Sequence, residues 1–186
     1  MRVKLYVIPL SHPAVAARLM LQYKGIEHNT VEILSGLHPI RLGLAGFFHG
    51  TVPAVKANGQ RIQGSLSISR FLDSIQPEPP LFPADLGLRN RVEEAEAWGE
   101  NVLQDVPRRL FRWALVRKRS IRRLLAQVNG MPLADLLAVP LKPMALYFAW
   151  KSGADDETVR RHLEELPALL DHADALVESG TIGASA

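Results

Sequence analysis

The stretch that decides the fold is Thr51-Val52-Pro53-Ala54-Val55-Lys56-Ala57-Asn58-Gly59-Gln60-Arg61-Ile62-Gln63-Gly64-Ser65. Asn58-Gly59 lies between two short apolar runs and is the strongest two-residue signal for a β-hairpin, so strands are expected at 53–56 and 61–63. Ser65 stands where a helix begins. The apolar residues behind it recur with helical spacing: Ile68, Phe71, Leu72 and Ile75. The stretch therefore predicts two antiparallel strands followed by a helix.

The sequence before this stretch predicts a strand, a helix and another strand. Residues 4–8 are rich in β-branched and aromatic side chains, as are residues 27–34. Pro13 suits the first turn of the helix between them, and Gly25 suits its end. An apolar stripe is expected on that helix at Val15, Leu19 and Tyr23. Residues 35–50 form a Gly-rich loop in this interpretation, so the order is βαβ, long loop, ββα, and a mixed sheet with helices is expected.

The sequence after the hairpin and its helix predicts only helices. One is expected over 89–106, Pro107 can open the next, and a last amphipathic helix covers about 155–177. Pro167 should kink or split that last helix.

The clearest boundary is the segment from Gln76 to Pro83, which holds four of the 13 prolines. We expect a domain over 1–76, a Pro-rich linker over 77–87 and an all-helical domain over 88–186.

Composition excludes several classes of protein and site. Apolar residues make up 47% of the 186 residues and charged residues 22%, which excludes wholesale disorder. The absence of cysteine excludes disulfides, thiolate metal sites and a cysteine nucleophile. The six histidines show no metal-ligand spacing, and the net charge of +3 does not indicate a nucleic-acid partner. Three prolines and two charges interrupt the most apolar stretch, 131–150, so no membrane span is expected. We therefore expect the protein to be cytoplasmic.

Residues 108–123 contain eight basic side chains and no acidic one. On a single helix, five arginines share one face: Arg108, Arg112, Arg119, Arg122 and Arg123. This face is interpreted as solvated, or as facing acidic neighbours or an anionic partner. A membrane surface, contacted together with 131–150, is a further alternative. Arg117 falls among the apolar residues and either extends toward solvent or points into a cleft.

The N-terminal half contains Thr51-Val52-Pro53-Ala54-Val55, the Asn58-Gly59 turn and the run Gly64-Ser65-Leu66-Ser67-Ile68-Ser69-Arg70-Phe71-Leu72-Asp73. These residues, in this order and spacing, resemble the glutathione transferase family. Leu5-Tyr6, Pro9-Leu10-Ser11 and Arg18-Leu19 are similar to the family's first strand and helix. The resemblance covers about residues 1–83. It implies an α/β unit, the thioredoxin-like βαβ-ββα domain, followed by an all-α domain, with glutathione as cosubstrate.

The chemistry of the residues is consistent with this resemblance. Because the chain has no thiol of its own, any thiol chemistry requires a thiol that arrives as a cosubstrate and attacks as thiolate. A helix N-terminus and a nearby hydroxyl both lower a thiol pKa, and Ser11 is the hydroxyl in that position, unless it only caps the helix. The resemblance gives Ser11 this catalytic role. It implies that the Val52-Pro53 bond is cis and pairs with the thiol peptide, and that Ser65 holds its γ-glutamyl end.

Two departures from the family pattern leave part of the site open. Gly64 stands where the family usually has Gln or Glu, and the residues before Val52 lack the family's usual run. The thiol peptide has a second carboxylate at the end opposite its γ-glutamyl group. Three residues are candidates for binding this far carboxylate: His38, Arg41 and His49. The sequence therefore also leaves open that the site binds a different small thiol, or no thiol at all.

The electrophile is expected to bind against the helical half. We assign its pocket to Leu10, His12, Trp113 and Arg117. Aromatic residues near 144–150 are alternatives, although core packing explains them as well. Conjugation of the thiol to an apolar electrophile is the leading hypothesis, with isomerase or dehalogenating variants not distinguished. The alternative is a non-catalytic binding or interaction module with the same fold.

The sequence ends at 178–186 without the capping box and central helix that follow in the family. We therefore expect an open groove on the helical half, covered by a partner subunit or exposed, and a homodimer as the assembly.

Overall fold

The computed structural model describes residues 2–183, and the chain divides into two compact units, Met1–Pro83 and Ala84–Ala186. The predicted α/β unit followed by an all-helical unit is confirmed. The elements of the first unit are β1 (Val3–Val7), α1 (His12–Tyr23), β2 (His28–Glu32), α2 (His38–Leu44), β3 (Ala54–Ala57), β4 (Gln60–Gln63) and α3 (Ser65–Ile75).

The sheet of the first unit has the order β2-β1-β3-β4. Strand β1 is parallel to β2 and antiparallel to β3, which is antiparallel to β4. Asn58 and Gly59 both have positive φ, 49° and 81°, as the predicted two-residue hairpin turn requires. The main core of the unit joins β1 and β3 to α1 and α3, and its fully buried side chains include Leu5, Leu21 and Ile68.

Helix α1 buries a different face from the one expected. Its buried residues are Ala14, Ala17 and Leu21, whereas the predicted stripe of Val15, Leu19 and Tyr23 is 41–57% exposed. The two alanines belong to the core that α1 shares with β1, β3 and α3, and the sequence spacing alone does not distinguish this face from its neighbour.

The predicted loop over 35–50 contains a helix, α2, that sequence analysis missed. Pro39 lies at its start and Leu42 is its buried residue. Seven residues with a single core position give too little periodicity for a helix to be recognised.

The second unit consists of helices α4 (Leu86–Trp98), α5 (Asp105–Arg117), α6 (Arg119–Val128), α7 (Ala134–Leu137), α8 (Leu141–Ser152) and α9 (Asp156–Glu178), with a π-helical turn at Gly99–Leu103 between α4 and α5. That turn interrupts the helix expected over 89–106. Pro167 lies inside α9 without splitting it. Among residues 2–183, no helix is both long and apolar enough to cross a bilayer.

The basic segment 108–123 is not one helix, which corrects the expected arginine face. Lys118 is extended, with φ −115° and ψ 115°, and separates α5 from α6. Most of the guanidinium groups are held inside this unit. Arg109 pairs with Asp105 and Arg123 with Asp135. Acidic neighbours therefore pair with several of the basic side chains in this segment. Some of these neighbours, such as Asp135 in α7, lie outside the preceding helix.

The Pro-rich segment is attached to the first unit by a buried lysine. Lys24 is 1% exposed, and its Nζ donates to the carbonyl oxygens of Gln76 at 2.6 Å and Pro79 at 2.8 Å. The same Nζ lies 2.6 Å from Oδ1 of Asp73. Residues 76–83 thus pack on α1 and α3, and the two units divide at Pro83 and Ala84.

Candidate functional site

The topology brings every predicted thiol-site residue of the first unit to one end of the sheet. Tyr6 pairs with Ala54, which in turn pairs with Gln63. The carboxyl ends of β1 and β4 therefore lie beside the amino end of β3, and the carboxyl end of parallel β2 lies there too. The segments that leave or enter the sheet at this end carry Ser11, α2, Val52-Pro53 and Gly64-Ser65.

The segment before β3 offers unpaired main chain at this end. The Val52–Pro53 peptide bond is cis, as the resemblance implies, and the carbonyl of Pro53 accepts a hydrogen bond from the N–H of Gly64 at 3.0 Å. Within residues 2–183, neither the N–H nor the C=O of Val52 has a hydrogen-bond partner. Val52 is half-buried, so it can pair with an extended ligand as a strand edge does.

Ser11 precedes α1 without capping it through its side chain. Its hydroxyl accepts no cap hydrogen bond, while its carbonyl accepts from the N–H groups of Ala14 and Val15 at 3.1 and 3.0 Å. Pro13 has no N–H, so within the described residues His12 keeps the first-turn N–H without a partner. The hydroxyl of Ser11 and this N–H are the two donors available to an anion here.

Gly64 and Ser65 form the start of α3 beside Pro53. Gly64 has φ +87° and ψ 142°, a conformation that other residues rarely adopt, although a Cβ there would meet no atom within 4 Å. Ser65 is 8% exposed. The N–H groups of Leu66 and Ser67 have no partner among the described residues, so this helix start presents donors suited to a carboxylate.

The three candidates for the far carboxylate differ in charge. Nδ1 of His38 accepts a hydrogen bond from the N–H of Gly36 at 3.3 Å, and burial lowers the pKa of this imidazole below its usual 6.5. A neutral ring results at neutral pH. Arg41 is an exposed cation on α2, and His49 is exposed in the loop before β3. Among the three, Arg41 is the candidate with a permanent positive charge.

Sequence analysis missed Gln63, whose side chain binds the loop that leads to Val52. Its amide exchanges hydrogen bonds with the main chain of His49 and also donates to the carbonyl of Thr51. The available signal was strand alternation, which places Gln63 on the same face of β4 as Arg61.

The residues assigned to the electrophile pocket are distributed over both units. Leu10, 52% exposed with φ +65°, and exposed His12 lie in the first unit. In the second unit, Trp113 Nε1 and Arg117 Nη2 both donate to Oδ1 of Asp156 at 2.6 Å. Arg117 thus reaches from α5 to α9 as an exposed ion pair, and the grouping of these residues in one pocket stays a prediction.

A separate cavity of about 520 Å³ lies in the second unit. Its lining residues are Arg91, Glu94, Ala95, Trp98, His172, Leu176, Ser179 and Thr181. None of the four residues assigned to the electrophile pocket belongs to it. Between residues 2 and 183, no three His, Asp or Glu side chains group in a way that would hold a metal ion.

Comparison with known proteins identifies the first unit. Residues 5–80 match the family model described as "Glutathione S-transferase, N-terminal domain". The first unit belongs to the glutathione S-transferase family. The resemblance found in the sequence is confirmed by this match. No curated protein sequence matches the chain.

Several solved structures share the fold. A glutathione S-transferase from Rhodospirillum rubrum F11 has 24% identity and a TM-score of 0.54, and the match covers 78% of this chain and 62% of that protein. The β-etherase LigF from Sphingobium sp. strain SYK-6 has 18% identity and a TM-score of 0.63, with coverage of 92% and 72%. A glutathione transferase homologue from Burkholderia strain BGR1, solved with bound glutathione, has 16% identity and a TM-score of 0.50, with coverage of 89% and 97%. The chain thus spans less than two thirds of the Rhodospirillum protein.

Proposed function

We propose that this glutathione S-transferase-like chain binds glutathione in its first unit and transfers the thiol to an apolar electrophile. The observation that carries the proposal is the unpaired N–H and C=O of Val52, next to Pro53 and at the same end of the sheet as Ser11 and Ser65. An extended thiol peptide satisfies these groups by pairing with Val52 as an added strand. The Burkholderia homologue of the same fold was solved with glutathione bound, which supports this choice of thiol.

The ends of the peptide are charged, and the site offers donors for both. The start of α3, with Ser65 and the N–H groups of Leu66 and Ser67, suits the carboxylate of the γ-glutamyl end. Arg41 suits the far carboxylate, because the neutral ring of His38 supplies no charge at neutral pH.

In the proposed reaction Ser11 stabilises the thiolate. The thiol loses its proton to water, and the hydroxyl of Ser11 and the N–H of His12 donate to the sulfur anion. The sulfur forms a bond to the electrophilic carbon, and the leaving group departs with the electron pair of the broken bond. In the first unit, Leu10 and His12 flank Ser11 in the sequence and are the residues proposed to contact the electrophile.

Binding is tested by thermal unfolding in a glutathione titration. At 100 times its Kd, glutathione should stabilise the wild type by about 2.7 kcal/mol. Ser65→Ala should lose most of this stabilisation, whereas Ser74→Ala, an exposed serine at the other end of the same helix, is the matched control. If no small thiol changes the wild-type midpoint at millimolar concentration, the proposal is wrong.

Catalysis is tested separately with Ser11→Ala and an activated aryl chloride. Loss of a hydrogen bond to a charged group costs about 1.5–3 kcal/mol, so the pH at half-maximal rate should rise by roughly one to two units. Below the pH of this transition, glutathione affinity should change little, because the bound thiol is then protonated and the hydroxyl stabilises no anion. An unchanged pH–rate profile would remove Ser11 from the mechanism.

A non-catalytic binding or interaction module with the same fold is the second candidate, and Gly64 favours it. The position lacks the side chain that the resemblance leads us to expect, and its φ of +87° disfavours any replacement. Thermal stabilisation by glutathione without turnover of any electrophile supports this candidate over transfer.

A further inference from the structure

Gln63, the last residue of β4, uses its whole side-chain amide on the loop before β3. Oε1 accepts from the N–H of His49 at 3.0 Å. Nε2 donates to the carbonyl of His49 at 2.6 Å and to the carbonyl of Thr51 at 3.1 Å. These three hydrogen bonds hold main chain that leads directly into Val52.

The register of the sheet explains why this side chain reaches the loop. Gln63 pairs with Ala54, the first residue of β3, so it stands beside the point where the loop enters the strand. Arg61, on the same face of β4, donates from Nε to the carbonyl of Ala45 at 3.2 Å. Strand β4 therefore holds the loop at both ends, through Arg61 near α2 and through Gln63 near Val52.

We infer that Gln63 is a positioning residue for the thiol site, an inference that rests on the proposed function. The groups that Gln63 binds belong to His49 and Thr51, and the unpaired N–H and C=O belong to the next residue, Val52. By fixing the main chain up to Thr51, Gln63 sets the direction of the Val52 groups before a ligand arrives. A peptide that pairs with Val52 then loses less freedom on binding, because the loop is already ordered.

The inference specifies the class of ligand whose binding depends on Gln63. A ligand that pairs through its main chain, such as a thiol peptide, requires a fixed Val52. A small thiol without peptide groups, such as 2-mercaptoethanol, uses only the donors near Ser11. Replacement of Gln63 should therefore affect glutathione selectively.

The test compares Gln63→Ala with Gln60→Ala, a glutamine on the same strand that pairs with Ala57 and is exposed. In the full chain, Gln63→Ala should weaken glutathione binding roughly tenfold and raise KM for glutathione with little change in kcat. Hydrogen exchange at the amide of His49, which donates to Oε1 of Gln63, should become roughly tenfold faster. Turnover with saturating 2-mercaptoethanol should stay at the wild-type value, and Gln60→Ala should match wild type throughout.

Two failures are distinguishable. If wild type binds glutathione and Gln63→Ala binds it equally well, whatever the exchange at His49, the positioning role is overturned and the proposed function stands. If wild type itself does not bind glutathione, the proposed function is overturned, and the role of Gln63 in it falls as well. A loss of kcat without a change in KM also overturns the positioning role.

Discussion

At the scale of single residues, His38 connects burial to charge. Burial holds its pKa below the usual 6.5, so the unfolded chain binds more protons than the folded chain between the two pKa values. The contribution of His38 to stability is complete above about pH 6.5 and is lost as the pH falls toward the folded-state pKa. His38→Gln should therefore lose less stability than wild type when urea unfolding is compared at pH 7.5 and pH 5.

The control for this prediction is His12→Gln, which removes an exposed histidine of the same unit. If the unfolding midpoints of His38→Gln and wild type fall in parallel with pH, the imidazole of His38 is not the group that destabilises the fold in acid. The same result would return His38 to the candidates for the carboxylate site.

Individual site residues differ in how far the sequence could predict them. Ser11 and Ser65 were predicted because a hydroxyl before a helix leaves a local signature, strengthened by the family resemblance. The lowered pKa of His38 was not predictable, since it depends on burial at the start of α2, a helix that the sequence did not reveal. Gln63 was missed because its partners, His49 and Thr51, are 14 and 12 residues away.

At the scale of elements, Arg122 joins three helices of the second unit. It is 7% exposed, and its guanidinium donates to the carbonyls of Leu115 and Ala138 at 2.6 Å and of Val116 at 3.1 Å. Leu115 and Val116 lie in the last turn of α5, and Ala138 ends α7. A cation on helix C-terminal carbonyls also interacts favourably with the helix dipoles.

Arg122→Ala leaves these carbonyls without their donor and should lower the free energy of unfolding by about 3 kcal/mol. Arg123→Ala is the matched control. Its side chain is 51% exposed and pairs with an exposed Asp135, so the loss should be below about 1 kcal/mol. Urea unfolding of both variants gives the comparison, and equal losses would show that Arg122 is no more important than a surface arginine.

Elements with a strong local signal were predicted well, and those fixed by long-range packing were not. The hairpin at Asn58 and Gly59 follows from local turn chemistry, and α3 from regular apolar spacing. The break at Lys118 was missed because the basic segment reads as one continuous helix, and the contacts of Arg122 with the ends of α5 and α7 leave no local signal in the sequence. The predicted face of α1 was wrong because the buried positions Ala14 and Ala17 are set by the core shared with β1, β3 and α3, not by local spacing.

At the scale of the whole molecule, the division into two units depends on where the Pro-rich segment is attached. The sequence places a boundary in that segment because prolines stop a helix. It does not show that the segment packs on the first unit, because the buried ammonium of Lys24 accounts for this and lies more than 50 residues earlier. Everything that the proposed thiol site uses therefore belongs to one unit, 1–83, with its own core.

The remaining prediction concerns assembly, and we propose a homodimer. Large apolar side chains are exposed in both units, with Phe48 99%, Leu44 80% and Trp150 79% accessible, and surfaces of this kind favour association. Sedimentation velocity should give about twice the chain mass of 20.6 kDa, and the thermal midpoint should rise with protein concentration because association stabilises the folded chain. Phe48→Ser and Trp150→Ser then test which unit supplies the contact, since the variant that removes it should lower the dimer fraction. A mass of one chain at every concentration, with a constant thermal midpoint, would contradict the homodimer.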